Sequence, residues 1–455
     1  MSPLDRERPP EPAAIRPFEF PHVDRSRLDN GLSLLSARYG RLPLVTVQAV
    51  IDAGTAGEPA ERAGLAHLTA NALDTGAGER TGDELAWAFE RLGVELHADA
   101  VWDAVVVTAT TASRHLDALL ALVAEVVRRP SFPESEIERL RHEQVASILQ
   151  RRKEPRALAS DMAAHFIFGR DVPYARSLLG LRAHVEQMTP ADVVGYHRSR
   201  FAPSTTTLMV VGDVEAEDAR SRVVRHFGDW AGSPRTPPTF EVSPGTERST
   251  VFVVNRPGAV QSEIRVGQVG VPRTHADYFA LEVMNGLIGG TFTSRLNLSL
   301  REKHGFTYGV RSGFGYRRAA GPFLIHTAVG TDVTARAVEE ILKELRSVAA
   351  DGVTEDEVIR TRDYLAGVLP LQLQTTEQLA GRLAELVVHD LPADYFDDYR
   401  ERVESITADD VVRVAREHLR LDNLAIVVVG DAESIADSLR AIDAGPVEVH
   451  EVPEE

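Results

Sequence analysis

The chain has 455 residues, 43% apolar and 26% charged, a balance typical of a globular protein and too long for a single ordinary core. It contains no cysteine, which excludes disulfides, thiolate metal ligands and a cysteine nucleophile, and its net charge of −18 argues against a nucleic-acid-binding surface. No run approaches the ~18 consecutive apolar residues of a membrane span, so no membrane partner is expected. Residues 1–22 are rich in Pro, Glu and Arg and read as a flexible arm. Met1–Pro21 lacks the apolar core of a secretory signal, which makes the cytoplasm the default location.

From residue 23 the elements follow in order. Leu28-Asp29-Asn30-Gly31-Leu32 is a tight-turn signal between two strands. Val45, Val47, Ala49 and Ile51 alternate as in a half-buried strand, before a turn at Gly54. Thr81 and Glu84 form a capping box, opening a helix with Leu85, Phe89 and Leu92 on one face and Gly93 as its stop. Val94, Leu96 and Ala98, then Val105-Val106-Val107, predict further strands. Ser113 is expected to cap a helix to about Val127, and a longer helix runs from about Pro133 to Lys153. Leu208–Val211 is a short apolar strand ending at Gly212.

The chain then repeats itself. Met188-Thr189-Pro190-Ala191-Asp192-Val193-Val194 resembles Ile406-Thr407-Ala408-Asp409-Asp410-Val411-Val412. Val210-Val211-Gly212-Asp213 recurs at the same offset as Val428-Val429-Gly430-Asp431. The Pro-rich stretch at 232–248 reads as a linker. The expected organisation is a first domain at 23–231, a second at 249–440 and an acidic tail at 441–455. The second domain should carry strands near 251–255, 264–269 and 424–429, and helices near 275–288, 333–348 and 355–371. Strands backed by long helices in each half indicate an α+β fold. Arg311-Ser312-Gly313 reads as an ordinary turn.

Two motifs carry chemistry. Gly54-Thr55-Ala56-Gly57-Glu58 and Gly64-Leu65-Ala66-His67-Leu68 lead into His67-Leu68-Thr69-Ala70-Asn71. This segment resembles the pitrilysin/insulinase, or inverted-zincin, peptidases, whose helix bears H-x-x-E-H. Two His at i and i+4 share a helix face and bind zinc, while the Glu activates the zinc-bound water. The resemblance places Ala70 at the general base, Asn71 at the second His and, within Arg139–Ile148, Ser147 at the third ligand. An amide and a hydroxyl do not replace an imidazole and a carboxylate for Zn²⁺. His67, Ala70, Asn71 and Ser147 are therefore degenerate zinc-site positions, and no metal is expected in this chain. Glu143, one turn before Ser147, reads as a solvated helix residue.

The second motif is Gly289-Gly290-Thr291-Phe292-Thr293-Ser294-Arg295 followed by Arg301-Glu302-Lys303-His304-Gly305-Phe306-Thr307-Tyr308. It resembles the family's second-half signature, a Gly-Gly substrate loop followed by an Arg and a Tyr seven residues apart that reach the active site opposite. A phenol can donate to the oxyanion of a peptide undergoing hydrolysis, and a guanidinium can bind substrate carbonyls.

Together these imply two homologous α+β domains, each an antiparallel-rich sheet backed by helices, arranged as a clamshell. The chain would be the zinc-lacking subunit of a metallopeptidase, as in mitochondrial processing peptidase and bacterial heterodimers. Zinc would sit in a homologous partner, a peptide would be the substrate, and Arg301 and Tyr308 would support the partner's active site. The substrate strand would add to the partner's edge near the equivalent of Ala49–Gly54. The alternative implied by the family is a peptide-binding or scaffold subunit, such as the respiratory core proteins, forming a homodimer.

Overall fold

The computed structural model describes residues 18–452 except 235, 237 and 238, so the expectations for residues 1–17 lie outside the described residues. Two six-stranded sheets form the framework. The first runs, edge to edge, Asp24–Arg27, Ser33–Arg38, Thr206–Gly212, Leu44–Ile51, Val105–Ala112 and His97–Ala100. The second runs Val447–Glu451, Thr250–Asn255, Ala425–Gly430, Gln261–Val269, Pro322–Gly330 and Val310–Phe314. In each, the second and third strands pair in parallel and the following pairs are antiparallel. The sequence repeat is thus a structural repeat.

Several local signals act as their chemistry requires. Gly31 turns the first hairpin at φ 92°, a conformation that glycine adopts without strain. Thr81 and Glu84 form the reciprocal capping box of helix Gly82–Glu90, and Gly93 follows at φ 67°. The helix expected after Ser113 starts later, at Leu116, because the Ser113 hydroxyl donates to Asp213 instead of capping.

Strand alternation decides what each sheet face meets. Val45, Val47, Ala49 and Ile51 enter the first half's own core. The opposite face is also buried. Leu35, Val50, Met209 and Val211 share a cluster with Leu379, Ala380 and Leu383 of helix Thr376–Val388, from the second half. Thr46 Oγ1 lies 2.7 Å from Thr376 Oγ1 across this contact. The exchange is reciprocal. Helix Pro155–Ile167, from the first half, covers the second sheet with Leu158, Ala159 and Ala163 against Phe252, Val254, Val427 and Val429. The two halves therefore each lend a helix to the other's sheet. Buried Leu side chains contribute roughly 1.5–3 kcal/mol each, which makes these contacts a large part of the joint.

Four details differ from the sequence reading. Strand Leu44–Ile51 is central, and the sheet's edges are Asp24–Arg27 and His97–Ala100. Arg311-Ser312-Gly313 is part of edge strand Val310–Phe314, not a turn. The segment expected as an acidic tail supplies strand Val447–Glu451, whose backbone completes the second sheet despite its charge. Phe18, Phe20 and Val23, at the end of the expected arm, pack against the second-half core, with the Phe20 and Phe396 rings 5.2 Å apart. No helix among the described residues is long and apolar enough to cross a membrane.

Candidate functional site

The helix Leu65–Asn71 is short and carries no side-chain cap of its own at Gly64. Its start is satisfied from elsewhere. The buried Glu58 carboxyl group accepts from the backbone N–H of Gly64 at 3.0 Å and of Ala66. Gln144, buried on helix Glu134–Lys153, donates to the carbonyls of Gly64 at 3.0 Å and Leu179 at 2.8 Å. These contacts fix the helix against the long helix and beside edge strand His97–Ala100.

His67 and Asn71 do share a face. Asn71 Nδ2 lies 3.0 Å from His67 Nε2. The amide nitrogen can only donate, so in this geometry it points an N–H at the imidazole nitrogen. Burial lowers the pKa of His67, against a weaker opposing pull from Asp99, and so favours the neutral ring. Ala70 is 1% exposed and belongs to the first-half core. Ser147 is exposed, on a helix whose inward positions are Gln144 and Ile148. Glu143 is exposed and accepts from Arg139 at 2.7 Å. The residues at these positions offer one engaged imidazole, one amide, a methyl group and a solvent-facing hydroxyl. They do not fit a zinc ion or a general base.

The second motif is built differently. Gly286–Gly290 forms a wide helical turn against edge strand Val310–Phe314. A Cβ on Gly289 would fall 2.6 Å from Ser312 Oγ and 2.9 Å from its backbone N, so only glycine permits this approach. Gly290 is nearly as confined, with Asn285 Nδ2 at 2.8 Å from such a Cβ. Gly289→Ala is expected to destabilise the chain by about 1–3 kcal/mol through overpacking, read as a lower urea midpoint; an unchanged midpoint would show that the loop yields freely.

Asn297, which sequence reasoning missed, organises the segment. Its amide donates to the carbonyls of Thr291 at 3.2 Å and Val310 at 2.9 Å, and its oxygen accepts from Val310 N at 3.2 Å. The signal was a lone Asn among the apolar residues Leu296, Leu298 and Leu300. This buried amide ties the Gly-Gly loop to the strand that follows Tyr308, and so frames the Arg301 helix turn.

Arg301 is half-buried. Its guanidinium carbon lies 4.3 Å from the ring centroid of exposed Phe292, and its Nε is 3.6 Å from Glu302. Tyr308 is 99% exposed. No hydrogen bond, ion pair or ring contact among the described residues joins either residue to His67 or Asn71. Arg301, Phe292 and Tyr308 thus present a cation and a phenol near the Val310–Phe314 edge of the second sheet.

Each half of the chain matches a model of one peptidase family. Residues 39–180 match the family described as Insulinase (Peptidase family M16), and residues 187–365 match the Peptidase M16 inactive domain. An uncharacterized zinc protease of Mycobacterium tuberculosis is 26% identical over 444 residues, covering 96% of this chain and 100% of that protein. A probable mitochondrial-processing peptidase subunit beta of Schizosaccharomyces pombe is 24% identical over 94% of this chain and 96% of its own length. The crystal structure of a peptidase M16 inactive domain from Pseudomonas fluorescens superposes with a TM-score of 0.84 at 25% identity, covering 90% of this chain and 98% of that one. A protease from Helicobacter pylori gives 0.83 at 20% identity, with 90% and 100% covered. With both halves matched in order and the whole fold shared, this chain belongs to the insulinase peptidase family M16.

Proposed function

We propose that this chain is the non-catalytic subunit of a zinc peptidase, binding peptide and completing the active site of a homologous, H-x-x-E-H-bearing partner. The observation that carries the reading is the fully exposed Tyr308, seven residues after the Arg301 that stacks on Phe292, with no contact among the described residues from either to the degenerate metal positions. A phenol and a guanidinium suited to a developing oxyanion have nothing to act on within this chain. The first-half site, with Asn71 on the His67 ring nitrogen and Ala70 in the core, cannot supply an activated water.

In this arrangement Arg301 and Tyr308 project into a chamber shared with the partner, and Gly289 and Gly290 shape its wall. The peptide lies extended. In a homologous partner it would pair with the strand equivalent to His97–Ala100, the edge beside the site helix, and not with the central strand near Ala49. This chain binds no catalytic zinc, and its activity belongs to the pair.

Peptide cleavage by the chain alone, by a zinc-bearing homologue alone and by the mixture tests this. Cleavage strongest in the mixture, with a co-purifying heterodimer, is the expected result. Unaided cleavage that disappears in His67→Ala would overturn the reading. A homodimer that binds peptides but never enhances cleavage would move the chain to the scaffold role.

A further inference from the structure

A second cluster of metal-ligating side chains lies in the other half of the molecule, independent of the degenerate positions around His67. His275 and Asp277 precede helix Tyr278–Asn285, and His418 ends helix Ala408–His418. Asp277 Oδ2 is 3.0 Å from His418 Nε2 and 3.8 Å from His275 Nδ1, and one donor atom from each residue lies within 4.8 Å of the others. The two imidazoles meet edge to face, their centroids 4.9 Å apart at 86°. Bonds of about 2.0–2.1 Å to a tetrahedral zinc place neighbouring donors roughly 3.3 Å apart, so small ring rotations close the set around an ion.

A further feature distinguishes Asp277 from an ordinary helix-capping residue. It occupies the N-cap position of its helix, where an Asp side chain normally accepts a backbone N–H and stabilises by about 1 kcal/mol, yet it makes no such bond. Both its oxygens face sideways instead. Oδ1 accepts from Arg413 at 2.8 Å, which orients the carboxylate and leaves Oδ2 between the histidines. The charge of Arg413 is itself countered by Glu417 at 2.9 Å and Asp410 at 4.0 Å. The Asp277 backbone N–H donates to His275 Nδ1 at 3.1 Å, and an ion bound at that atom displaces this contact.

We propose that His275, Asp277 and His418 bind one divalent transition-metal ion, zinc being the best match, which clasps the two helices together. Two imidazoles and one carboxylate select borderline ions over magnesium or calcium, and side chains 16–32% exposed leave room for water as the remaining ligand. The role is structural: the site contains no free base, and it lies on a helix pair separate from Arg301 and Tyr308.

The full chain, stripped with a chelator, is titrated with Co²⁺ and then Zn²⁺. The expected result is one equivalent of Co²⁺ with the visible absorption of a four- or five-coordinate site, its displacement by Zn²⁺, and a melting temperature raised by zinc. His275→Ala and His418→Gln should each weaken zinc binding beyond the roughly 10–100-fold that outer contacts contribute, whereas His67→Ala should leave it unchanged. Melting of the metal-free variants confirms that they fold, and half-exposed His275 supplies the test if the His418 variant does not. Absence of stoichiometric zinc binding, binding that survives in both histidine variants, or binding lost in His67→Ala would overturn the proposal.

Discussion

Tyr308→Phe in the reconstituted pair is expected to lower turnover by about 10²–10³-fold while leaving assembly intact, the usual cost of removing one oxyanion donor. The side chain is 99% exposed, so the hydroxyl contributes nothing to the fold and its loss leaves the chain as stable as before. Phe retains the ring and its contact area, which isolates the O–H. Because the bond forms only as charge develops on the substrate oxygen, kcat should fall and KM should stay nearly constant. Steady-state kinetics on a saturating peptide, with the heterodimer verified by gel filtration, reads both. Unchanged turnover would remove Tyr308 from the chemistry and leave it as part of a docking surface.

A second large effect concerns stability and pH. Glu58 is nearly fully buried, and its pKa is raised from 4.5 to about 8. Desolvation is the largest cause, outweighing the lowering by the Ala66 and Gly64 N–H groups and Arg176. The folded state therefore keeps a proton that the unfolded chain releases above pH 4.5. The stabilisation is full below that value, declines as pH rises, and is gone above about pH 8. Each pKa unit corresponds to about 1.36 kcal/mol, so the decline is on the order of 5 kcal/mol. Urea midpoints at pH 5, 6.5 and 8 should fall in this order. Glu58→Gln cannot ionise, so its midpoints should be flatter across the range, at a lower overall level because only one of the two acceptors for the Gly64 and Ala66 N–H groups remains. Parallel curves for the two proteins would show that Glu58 is already ionised when folded.

Much of the site was legible because helical spacing is local. His67 and Asn71 had to share a face whatever the fold, and their 3.0 Å contact follows from that periodicity. The chemistry of the substitutions was legible too, since donor type does not depend on tertiary context. The exposure of Ser147 and the placement of Ala70 in the core were not, because a helix shows which residues align but not which of its faces is covered. Asn297 was missed for a related reason. A single polar residue in an apolar stripe marks a buried bond, but its partners at Thr291 and Val310 come together only when the loop closes.

The sheets show the same limit. Alternation correctly assigned Val45, Val47, Ala49 and Ile51 to one face, but Thr46 and Gln48 looked like solvent positions and are also buried. Thr46 meets a helix from the other half at Thr376, and nothing near it in sequence announces it. Likewise, which strand is an edge depends on pairing across long separations, and for this reason the edge beside the site helix proved to be His97–Ala100 and not the strand near Ala49.

By itself, then, the order of residues determined the repeat, the turns, the caps and the donor types at the motif positions, because each depends on contacts between residues close along the chain or on the identity of a single side chain. The exchange of helices between halves, the outward display of Tyr308 and the meeting of His275, Asp277 and His418 were decided only by tertiary packing, because burial and long-range proximity are properties of the assembled layers, to which local preference is blind.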